Sequence, residues 1–190
     1  MSRERILDAA IERIASDGID AVRIARIAMD AGVSTALVHY HFATREALLA
    51  EALEHSFELA GDTRTVDTGE GPAVQRLRDM VEQCLPLPGM QERDWVLWVE
   101  LWLRAVRHPE LRPTAAHLYA RMHEWFVKAI DDGGFDCDAA TTADRVLALL
   151  DGFGLRALLG DPEMSIDRAR EEVWAVLARD LGLAPAGTRG

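Results

Sequence analysis

The sequence lacks several features that mark particular classes of protein. Its two cysteines, Cys84 and Cys137, lie 53 positions apart and form no CxxC pair, so no disulfide framework is indicated. No apolar run approaches the roughly 18 residues that a membrane-spanning helix needs, and the N-terminus has no apolar signal core. Hydrophobic residues make up 49% of the 190, which suits a globular fold and is too high for intrinsic disorder. We therefore expect a folded cytoplasmic protein with reduced cysteines and no membrane partner.

Positive charge is also scarce. The chain holds 21 Lys+Arg against 32 Asp+Glu, a net charge of -11. The first 50 residues are nearly neutral, with six arginines and seven acidic residues, whereas the remaining 140 are strongly acidic. Because a nucleic-acid-binding protein normally carries a basic surface, composition alone does not indicate such a partner. If the chain binds a nucleic acid, the N-terminal part is the candidate segment, since the rest repels phosphate.

Helical periodicity dominates the chain. Apolar residues recur with the helical period, and no long stretch alternates as a β-strand does. The polar stretch 61–72, with three glycines and one proline, is predicted to be a loop or linker. These patterns predict an all-α fold, with a compact group of short helices before the linker and a larger antiparallel helical bundle after it. The predicted helices cover residues 3–16, 22–31, 35–41, 44–60, 72–85, 92–107, 113–132, 138–160 and 166–181.

Residues 22–42 carry the most informative pattern. A short helix, a glycine-containing turn and a second short helix follow one another, as in a helix-turn-helix motif. Gly32 permits a turn with positive φ, and Ser34 is suited to cap the second helix. Ile27 and Val38 are expected to face the interior. The outward side chains are small or polar and suit a DNA major groove: Thr35, Ala36, His39 and Tyr40.

This segment resembles the TetR family of bacterial transcriptional regulators. The likeness rests on Ile27-Ala28, on Ala31-Gly32-Val33-Ser34, on the run LVHYHF from Leu37 to Phe42, and on Arg45-Glu46-Ala47-Leu48-Leu49. The resemblance implies a three-helix helix-turn-helix DNA-binding domain over 1–60 and a ligand-binding and dimerisation domain over 61–190. It also implies a homodimer, paired through the last two helices, on palindromic operator DNA. The implied DNA-contacting residues are Ser34, Thr35, Ala36, His39, Tyr40, His41, Thr44 and Arg45.

Three positions depart from the usual family pattern. Arg23 stands where the family usually has Thr, so Asp20 is expected to cap that helix a turn earlier. His39 replaces the usual Tyr, and Arg45 replaces the usual Lys while keeping its charge. His39 and His41 could be read as a metal pair, but residues two apart on a helix diverge. We expect no metal and no cofactor. The plainer alternative is that 22–42 is merely two packed helices, which would leave the full set of spacings unexplained.

The C-terminal part holds an aromatic and methionine-rich set. Trp95, Trp98 and Trp102 are spaced by three and four residues, so they share one stripe of a predicted helix. Such side chains adapt to flat or irregular apolar ligands. Two interpretations stay open, because the set can fill the core of the bundle or partly line a ligand cavity. The candidate ligand-binding residues are Met80, Cys84, Trp95, Trp98, Trp102, Met122, Trp125, Phe126 and Phe153.

The same region permits a more specific hypothesis about the ligand. Tryptophans near an acid can hold an organic cation, and the candidate acids are Asp94, Asp151 and Glu100, although Glu100 faces away from the tryptophan stripe. The segments 95–111 and 151–162 are also similar, more loosely, to the ligand domains of betaine-type regulators in the TetR family. This second resemblance does not identify the ligand.

Gly152 and Gly154 lie within the predicted helix 138–160. Each glycine inside a helix lowers its stability by about 1 kcal/mol relative to alanine. We therefore expect another helix to approach closely at this point, which would offset that loss.

An enzyme is the main alternative class, and a protein-binding helical adaptor is another. The sequence has no Glu-x-x-His pair, GxSxG elbow, P-loop or HExxH motif. Cys84 would need a catalytic partner that the sequence does not reveal. The outward polar face of the second short helix argues against an adaptor. The sequence therefore predicts a non-enzymatic regulator, expected to be a repressor, that a small-molecule effector releases from double-stranded operator DNA.

Overall fold

The computed structural model describes residues 2–20, 22–63 and 72–183. Within these ranges all regular elements are helices, which confirms the all-α prediction. No helix in the same ranges is long and apolar enough to cross a membrane. In chain order the α-helices are α1 (Ser2–Asp17), α2 (Ile24–Asp30), α3 (Thr35–His41), α4 (Arg45–Thr63), α5 (Ala73–Gln83), α6 (Met90–Arg107), α7 (Arg112–Asp132), α8 (Ala139–Leu158) and α9 (Ile166–Asp180), and a 3₁₀ turn at Pro109–Leu111 precedes α7.

The predicted helix ends lie within two residues of the observed ones, except at the end of α4. That helix continues to Thr63, so the predicted start of the linker at residue 61 was wrong. A single glycine lowers helix stability by only about 1 kcal/mol relative to alanine and does not by itself stop a helix. Residues 64–71 of the predicted linker, and the C-terminal tail from residue 184, lie outside the described residues.

The internal contacts divide the chain into two compact units. Unit 1 comprises residues 1–64 and 96–118, and unit 2 comprises residues 65–95 and 119–190. Residues 96–118, which the predicted domain limits place in the C-terminal domain, group with the N-terminal residues in unit 1. Helices α6 and α7 therefore contribute residues to both units.

Unit 1 is built around one face of α1. This helix buries Ile6, Ala10 and Ile14, which are spaced four apart and so lie above one another on one side. That side packs against α2, α3 and α4. Leu97 and Leu101 of α6 join the same apolar core. The two short helices α2 and α3 therefore pack on the same apolar core as α1 and α4.

Unit 2 is organised by the packing of α9 against α8 and α5. Asp138 and Ser165 fix where α8 and α9 begin, because their side chains accept hydrogen bonds from Thr141 N at 3.0 Å and Arg168 N at 3.1 Å. The guanidinium of Arg78 on α5 lies 3.9 Å from the ring centroid of Trp174 on α9. The fully buried core of unit 2 includes Leu77, Met80, Phe126, Ala143, Val146, Ala169, Val173 and Leu177.

Candidate DNA-binding and effector-binding sites

Helices α2 and α3 form the predicted helix-turn-helix. Gly32, between them, has φ +64°, a backbone conformation that favours glycine. Val33 N donates to Ala28 O at 2.9 Å and closes the turn. Ser34 Oγ accepts from Leu37 N at 3.2 Å, which confirms the predicted cap of α3.

Helix α3 has a buried face and an exposed face. Val38 is fully buried, and Phe42, directly after the helix, is 2% exposed. Tyr40 is 81% exposed, and its ring meets the ring of His41 edge-on at 5.3 Å between centroids. A single exposed helix face of small, polar and aromatic groups suits insertion into a DNA groove. Of the implied DNA-contacting residues, the structure leaves Ser34, Thr35, Ala36, His39, Tyr40 and Thr44 exposed, and His41 and Arg45 partly buried.

Thr44 and Arg45 have structural partners at the start of α4. Thr44 Oγ1 accepts from Ala47 N at 3.0 Å and so caps the helix, which leaves its hydroxyl hydrogen able to donate elsewhere. Arg45 Nε donates to Val22 O at 3.1 Å, and its Nη2 donates to Ile19 O. The Arg45 guanidinium therefore ties the start of α4 to the connection between α1 and α2.

Asp20 does not cap α2, contrary to the prediction. Arg23 occupies the N-cap position of α2, and its side chain makes no capping hydrogen bond. The Asp20 carboxylate instead pairs with Arg104 Nη2 of α6, while Arg23 Nη1 donates to the Asp20 carbonyl at 2.8 Å. A charge-assisted bond to a guanidinium is stronger than a bond to a neutral backbone N–H. The predicted Asp20 cap was wrong because the stronger partner, Arg104, lies 84 residues away in the sequence, where local spacing does not reveal it.

The six arginines of the first 50 residues all have partners within unit 1. Arg13, for example, pairs with Asp17 at 3.0 Å and Asp30 at 2.5 Å, and it holds the pKa of the Asp30 carboxyl below its usual value. These guanidinium groups are therefore engaged within unit 1, although a partner that is a backbone carbonyl orients the guanidinium without cancelling its charge. The other five bind as follows: Arg3 to Glu51, Arg5 to the carbonyls of Ala31 and Gly32, Arg23 to those of Asp20 and Val22, Arg26 to Asp30, and Arg45 to those of Ile19 and Val22.

A groove of about 570 Å³ lies on unit 1 beside the helix-turn-helix. It runs between α1 and the turn that contains Gly32, and it contains none of the candidate ligand-binding residues. Both signs of charge line it, and Arg13 and Asp30 of this lining are paired with each other. Nothing in this lining resembles the aromatic set that the sequence analysis singled out.

The structure divides the predicted tryptophan stripe between the two units. Trp95 belongs to unit 2, where its Nε1 donates to Cys84 O at 3.0 Å. Trp98 and Trp102 belong to unit 1, with their ring centroids 5.9 Å apart. Trp98 also meets Phe57 of α4 edge-on at 6.0 Å. The shared stripe of α6 therefore does not place all three indoles within one unit.

The remaining candidate ligand-binding residues lie in unit 2 and fall into two groups. Met80, Cys84 and Phe126 belong to the buried core, with exposures of 5% or less. Met122, Trp125 and Phe153 are half-buried and pack around that core. The first group therefore fills the core, and only the second has surface left for a ligand, so for that group the ligand-cavity interpretation stays a prediction.

The two glycines within α8 have different surroundings. A Cβ on Gly154 would overlap the indole of Trp95. The packing of this ring against Gly154, rather than the close helix–helix approach that we predicted, therefore offsets the cost of a glycine within the helix. Gly152 is exposed, and a Cβ there would meet nothing within 4 Å. Within the described part of the chain, nothing therefore explains why position 152 is glycine.

Asp151, one of the three candidate acids, lies on α8 in an unusual setting. Tyr119 Oη of α7 donates to Asp151 Oδ2 at 2.6 Å. Burial raises the pKa of the Asp151 carboxyl above its usual value, and the Tyr119 hydrogen bond offsets this only partly. Among the described residues no basic side chain pairs with Asp151, and its one hydrogen-bond partner is Tyr119. Sequence reasoning missed Tyr119, because it lies 32 positions away and no local spacing links the two.

The other two candidate acids are placed differently. Glu100 belongs to unit 1, where its Oε1 lies 3.3 Å from where a Cβ on Gly18 would be. Asp94 belongs to unit 2 and is half-buried near the start of α6. Asp151 combines partial burial with a raised carboxyl pKa.

Known protein families match this chain in two separate segments. Residues 6–52 match the bacterial regulatory proteins of the tetR family, and residues 73–182 match the C-terminal domain of BetI-type transcriptional repressors. The HTH-type transcriptional regulator BetI 1 of Chromohalobacter salexigens is 25% identical, over 96% of this chain and 94% of that protein. These relatives are transcriptional regulators and not enzymes.

Two solved structures have the same fold. A transcriptional regulator from Saccharomonospora viridis, crystallised in complex with choline, is 34% identical, with a TM-score of 0.79 over 90% of this chain and 92% of that one. A TetR-family regulator from Rhodococcus sp. is 28% identical, with a TM-score of 0.83 over 95% and 98% of the two chains. The chain described here therefore belongs to the TetR family of transcriptional regulators, with an N-terminal helix-turn-helix and a C-terminal ligand-binding domain.

Proposed function

We propose that this protein is a cytoplasmic repressor that binds palindromic operator DNA as a homodimer and is released by an organic cation bound in unit 2. The observation that carries the DNA-binding part is the exposed face of α3, directly opposite the buried Val38. On this face Thr35, Ala36 and His39 approach base edges and Tyr40 reaches a base or phosphate. Ser34, His41 and the Thr44 hydroxyl contact the phosphate backbone.

Arg45 enters this proposal in a different role from the one that the family resemblance implies. Two of its guanidinium nitrogens are bonded to the carbonyls of Val22 and Ile19, and Nη1 lies 3.7 Å from Glu46 Oε1. We assign Arg45 to holding α4 against the α1–α2 connection rather than to binding phosphate. With few free cations, DNA binding is expected to depend only modestly on salt, since each neutralised phosphate contributes about −0.9 to the slope of log K against log salt.

The proposed dimer interface lies on α8 and α9. Gly152 costs about 1 kcal/mol relative to alanine within a helix, yet this chain places nothing within 4 Å of its missing Cβ. Leu159, seven residues further along, is 76% exposed. A second copy packed closely against this side of α8, around a two-fold axis, would explain both features. The two recognition helices would then enter successive major grooves about 34 Å apart.

The effector proposal rests on unit 2. Asp151 is a partly buried carboxylate without a basic partner among the described residues, and the half-buried Met122, Trp125 and Phe153 supply aromatic and methionine surface in the same unit. Aromatic rings and a carboxylate together recognise quaternary ammonium groups. Because the related regulator from Saccharomonospora viridis was crystallised with choline, choline is the first probe to use.

The test combines operator selection with calorimetry. Repeated selection from randomised duplex DNA is expected to yield a palindrome, and light scattering of the complex is expected to give a dimer. Choline is then titrated calorimetrically into the protein with and without this operator. If choline releases DNA, linkage requires the operator to weaken choline binding by the factor by which choline weakens operator binding. Equal choline affinity in both titrations would rule out the release mechanism.

A further inference from the structure

We propose that Asp151, oriented by Tyr119, reads the charge of the effector, so that unit 2 selects a monovalent organic cation over a neutral molecule of the same shape. This inference rests on the proposed function, because it assumes that the effector binds in unit 2. It assigns a specific task to two residues that face each other from α7 and α8.

The geometry places the carboxylate on an aromatic side of α8. Asp151 and Gly154 are three residues apart and therefore share a face of the helix. Gly154 lies directly beneath the Trp95 indole, which a Cβ would displace. The hydroxyl of Tyr119 holds Asp151 Oδ2 at 2.6 Å, while Oδ1 accepts no hydrogen bond from any described residue. One carboxylate oxygen is thus fixed, and the other is available to a ligand.

The electrostatics distinguish Asp151 from other acidic residues of unit 2. Asp180 is hydrogen-bonded to Arg145 at 2.9 Å, and Asp161 is hydrogen-bonded to Arg156 at 2.7 Å, and in both cases the guanidinium lowers the carboxyl pKa. Burial instead raises the carboxyl pKa of Asp151, because the ionised form loses solvation without gaining a counter-charge. A perturbed carboxyl without a charge partner is typical of a functional site.

A purely structural role does not account for the charge. The hydrogen bond from Tyr119 favours the ionised carboxylate, but it offsets only part of the cost of burying that charge. A neutral amide oxygen would also accept this hydrogen bond and would avoid the cost of a buried charge. A bound organic cation supplies the missing counter-charge, whereas a neutral ligand of equal shape leaves the carboxylate uncompensated. The result is discrimination by charge, with the aromatic surface recognising shape.

The test uses the full-length protein and two probes, choline and its neutral isostere 3,3-dimethylbutan-1-ol, in calorimetric titrations. The wild type is expected to bind choline and to bind the neutral alcohol at least about 10-fold more weakly. Asp151→Asn, which keeps the Tyr119 hydrogen bond, should weaken choline binding by about 10- to 100-fold, the loss of one charge-assisted contact. It should leave the alcohol unaffected, so that the two affinities converge. Tyr119→Phe should cost choline a smaller factor, because the carboxylate keeps its charge and loses its orientation.

Asp144→Asn is the matched control. It removes the same charge from an exposed position on the same helix, where Asp144 pairs with His123 at 3.3 Å. This variant should bind choline as the wild type does. Unchanged choline affinity in Asp151→Asn, or equal binding of both probes by the wild type, would overturn the inference.

The outcomes also separate this inference from the proposed function. If the wild type binds operator but neither probe, the charge-reading role and the organic-cation effector both fail, and the DNA-binding function stands. If choline binds in an Asp151-dependent way but no duplex is retained in the selection, the charge-reading role stands and the repressor proposal fails. A thermal shift assay supplies a second readout, because a choline-induced rise in Tm should disappear in Asp151→Asn and persist in Asp144→Asn.

Discussion

Charged groups are arranged differently around the helix-turn-helix and around Asp151. In unit 1 the arginines near α2 and α3 bind carboxylates or backbone carbonyls of the same unit, as Arg45 does with Val22 and Ile19. In unit 2 Asp151 is partly buried and has no basic partner among the described residues. Charged groups that are bound within their own unit stabilise a structure that is already complete. Uncompensated, partly buried charge raises the free energy of the unliganded protein and favours a ligand that neutralises it.

The difference indicates what each unit contributes to recognition. Unit 1 presents shape, hydrogen-bonding groups and one exposed aromatic ring on a firmly held α3. Unit 2 presents aromatic surface and a carboxylate, and its recognition is expected to depend on the charge of the ligand.

The largest effect is expected from Tyr40→Ala. Tyr40 is 81% exposed on α3, so its removal should leave folding, dimerisation and choline affinity unchanged. Loss of a direct contact with DNA costs about 1–3 kcal/mol, which corresponds to a roughly 5- to 150-fold weaker operator complex in fluorescence anisotropy. Val106→Ala, which truncates another exposed side chain of unit 1, is the control and should not change operator affinity. If Tyr40→Ala bound operator like the wild type, α3 would not be the recognition surface.

The helix-turn-helix could be predicted from the sequence because its determinants act over a few residues. Gly32 adopts the positive φ of the turn, and Ser34 caps the next helix by accepting a hydrogen bond from the residue three positions on. Both interactions are local, so the sequence alone indicates them. The tryptophan stripe could not be resolved in this way. Helical spacing places Trp95 and Trp98 on one side of α6, but it does not reveal that their neighbours belong to different units.

Contacts between distant residues account for the other differences. Asp20 satisfies its charge with Arg104, and Asp151 meets Tyr119, through separations of 84 and 32 positions. No local sequence pattern indicates such pairs of distant residues. A sequence motif for a helix cap or a cation site is therefore ambiguous until the distant partners are known. Asp151 was nevertheless among the three candidate acids that the sequence offered for an organic cation held by tryptophans.

The next largest effect is expected from the two glycines of α8, which form a natural pair. Gly154→Ala forces a methyl group into the Trp95 indole and should lower the free energy of unfolding by about 1–3 kcal/mol in urea denaturation. It should also weaken choline binding if Trp95 shifts.

The methyl group that Gly152→Ala adds would meet no atom of the same chain within 4 Å. In a monomer it would therefore raise stability by up to about 1 kcal/mol through helix propensity. If a second copy packs against Gly152, the same methyl group should instead weaken the dimer, and analytical ultracentrifugation at decreasing concentration would detect this. Stabilisation without any change in dimer affinity would contradict the proposed interface.

Arg45→Met tests whether charge in unit 1 serves the fold or the DNA. It keeps the aliphatic stem and removes the hydrogen bonds to Val22 and Ile19, so we expect stability to fall by about 1–2 kcal/mol. Operator binding should keep its salt dependence, because no phosphate contact is lost. A decrease of about 0.9 in the slope of log K against log salt would instead assign Arg45 to a phosphate and weaken the contrast between the units.

The smallest effect, and the one with the clearest sign, concerns Asp151 and the pH dependence of stability. The Asp151 carboxyl has a higher pKa in the folded protein than in the unfolded chain. Its protonated form therefore stabilises the folded protein fully below the unfolded-state pKa, and this stabilisation is lost as the pH rises through the folded-state pKa. Asp151→Asn carries no such charge. It should therefore melt at nearly the same temperature as the wild type near pH 4, and at a higher temperature, by about 1–3 °C, at pH 7.

Asp180→Asn should behave in the opposite way, because Arg145 lowers the carboxyl pKa of Asp180 and its stabilisation is present at neutral pH. That variant should melt below the wild type at pH 7, and the gap should close as the pH falls through the lowered folded-state pKa. Scanning calorimetry of both variants across this pH range compares a compensated with an uncompensated carboxylate within one unit. If Asp151→Asn also melted below the wild type at pH 7, the charge of Asp151 would be stabilising the free protein, and no ligand would be needed to explain why it is there.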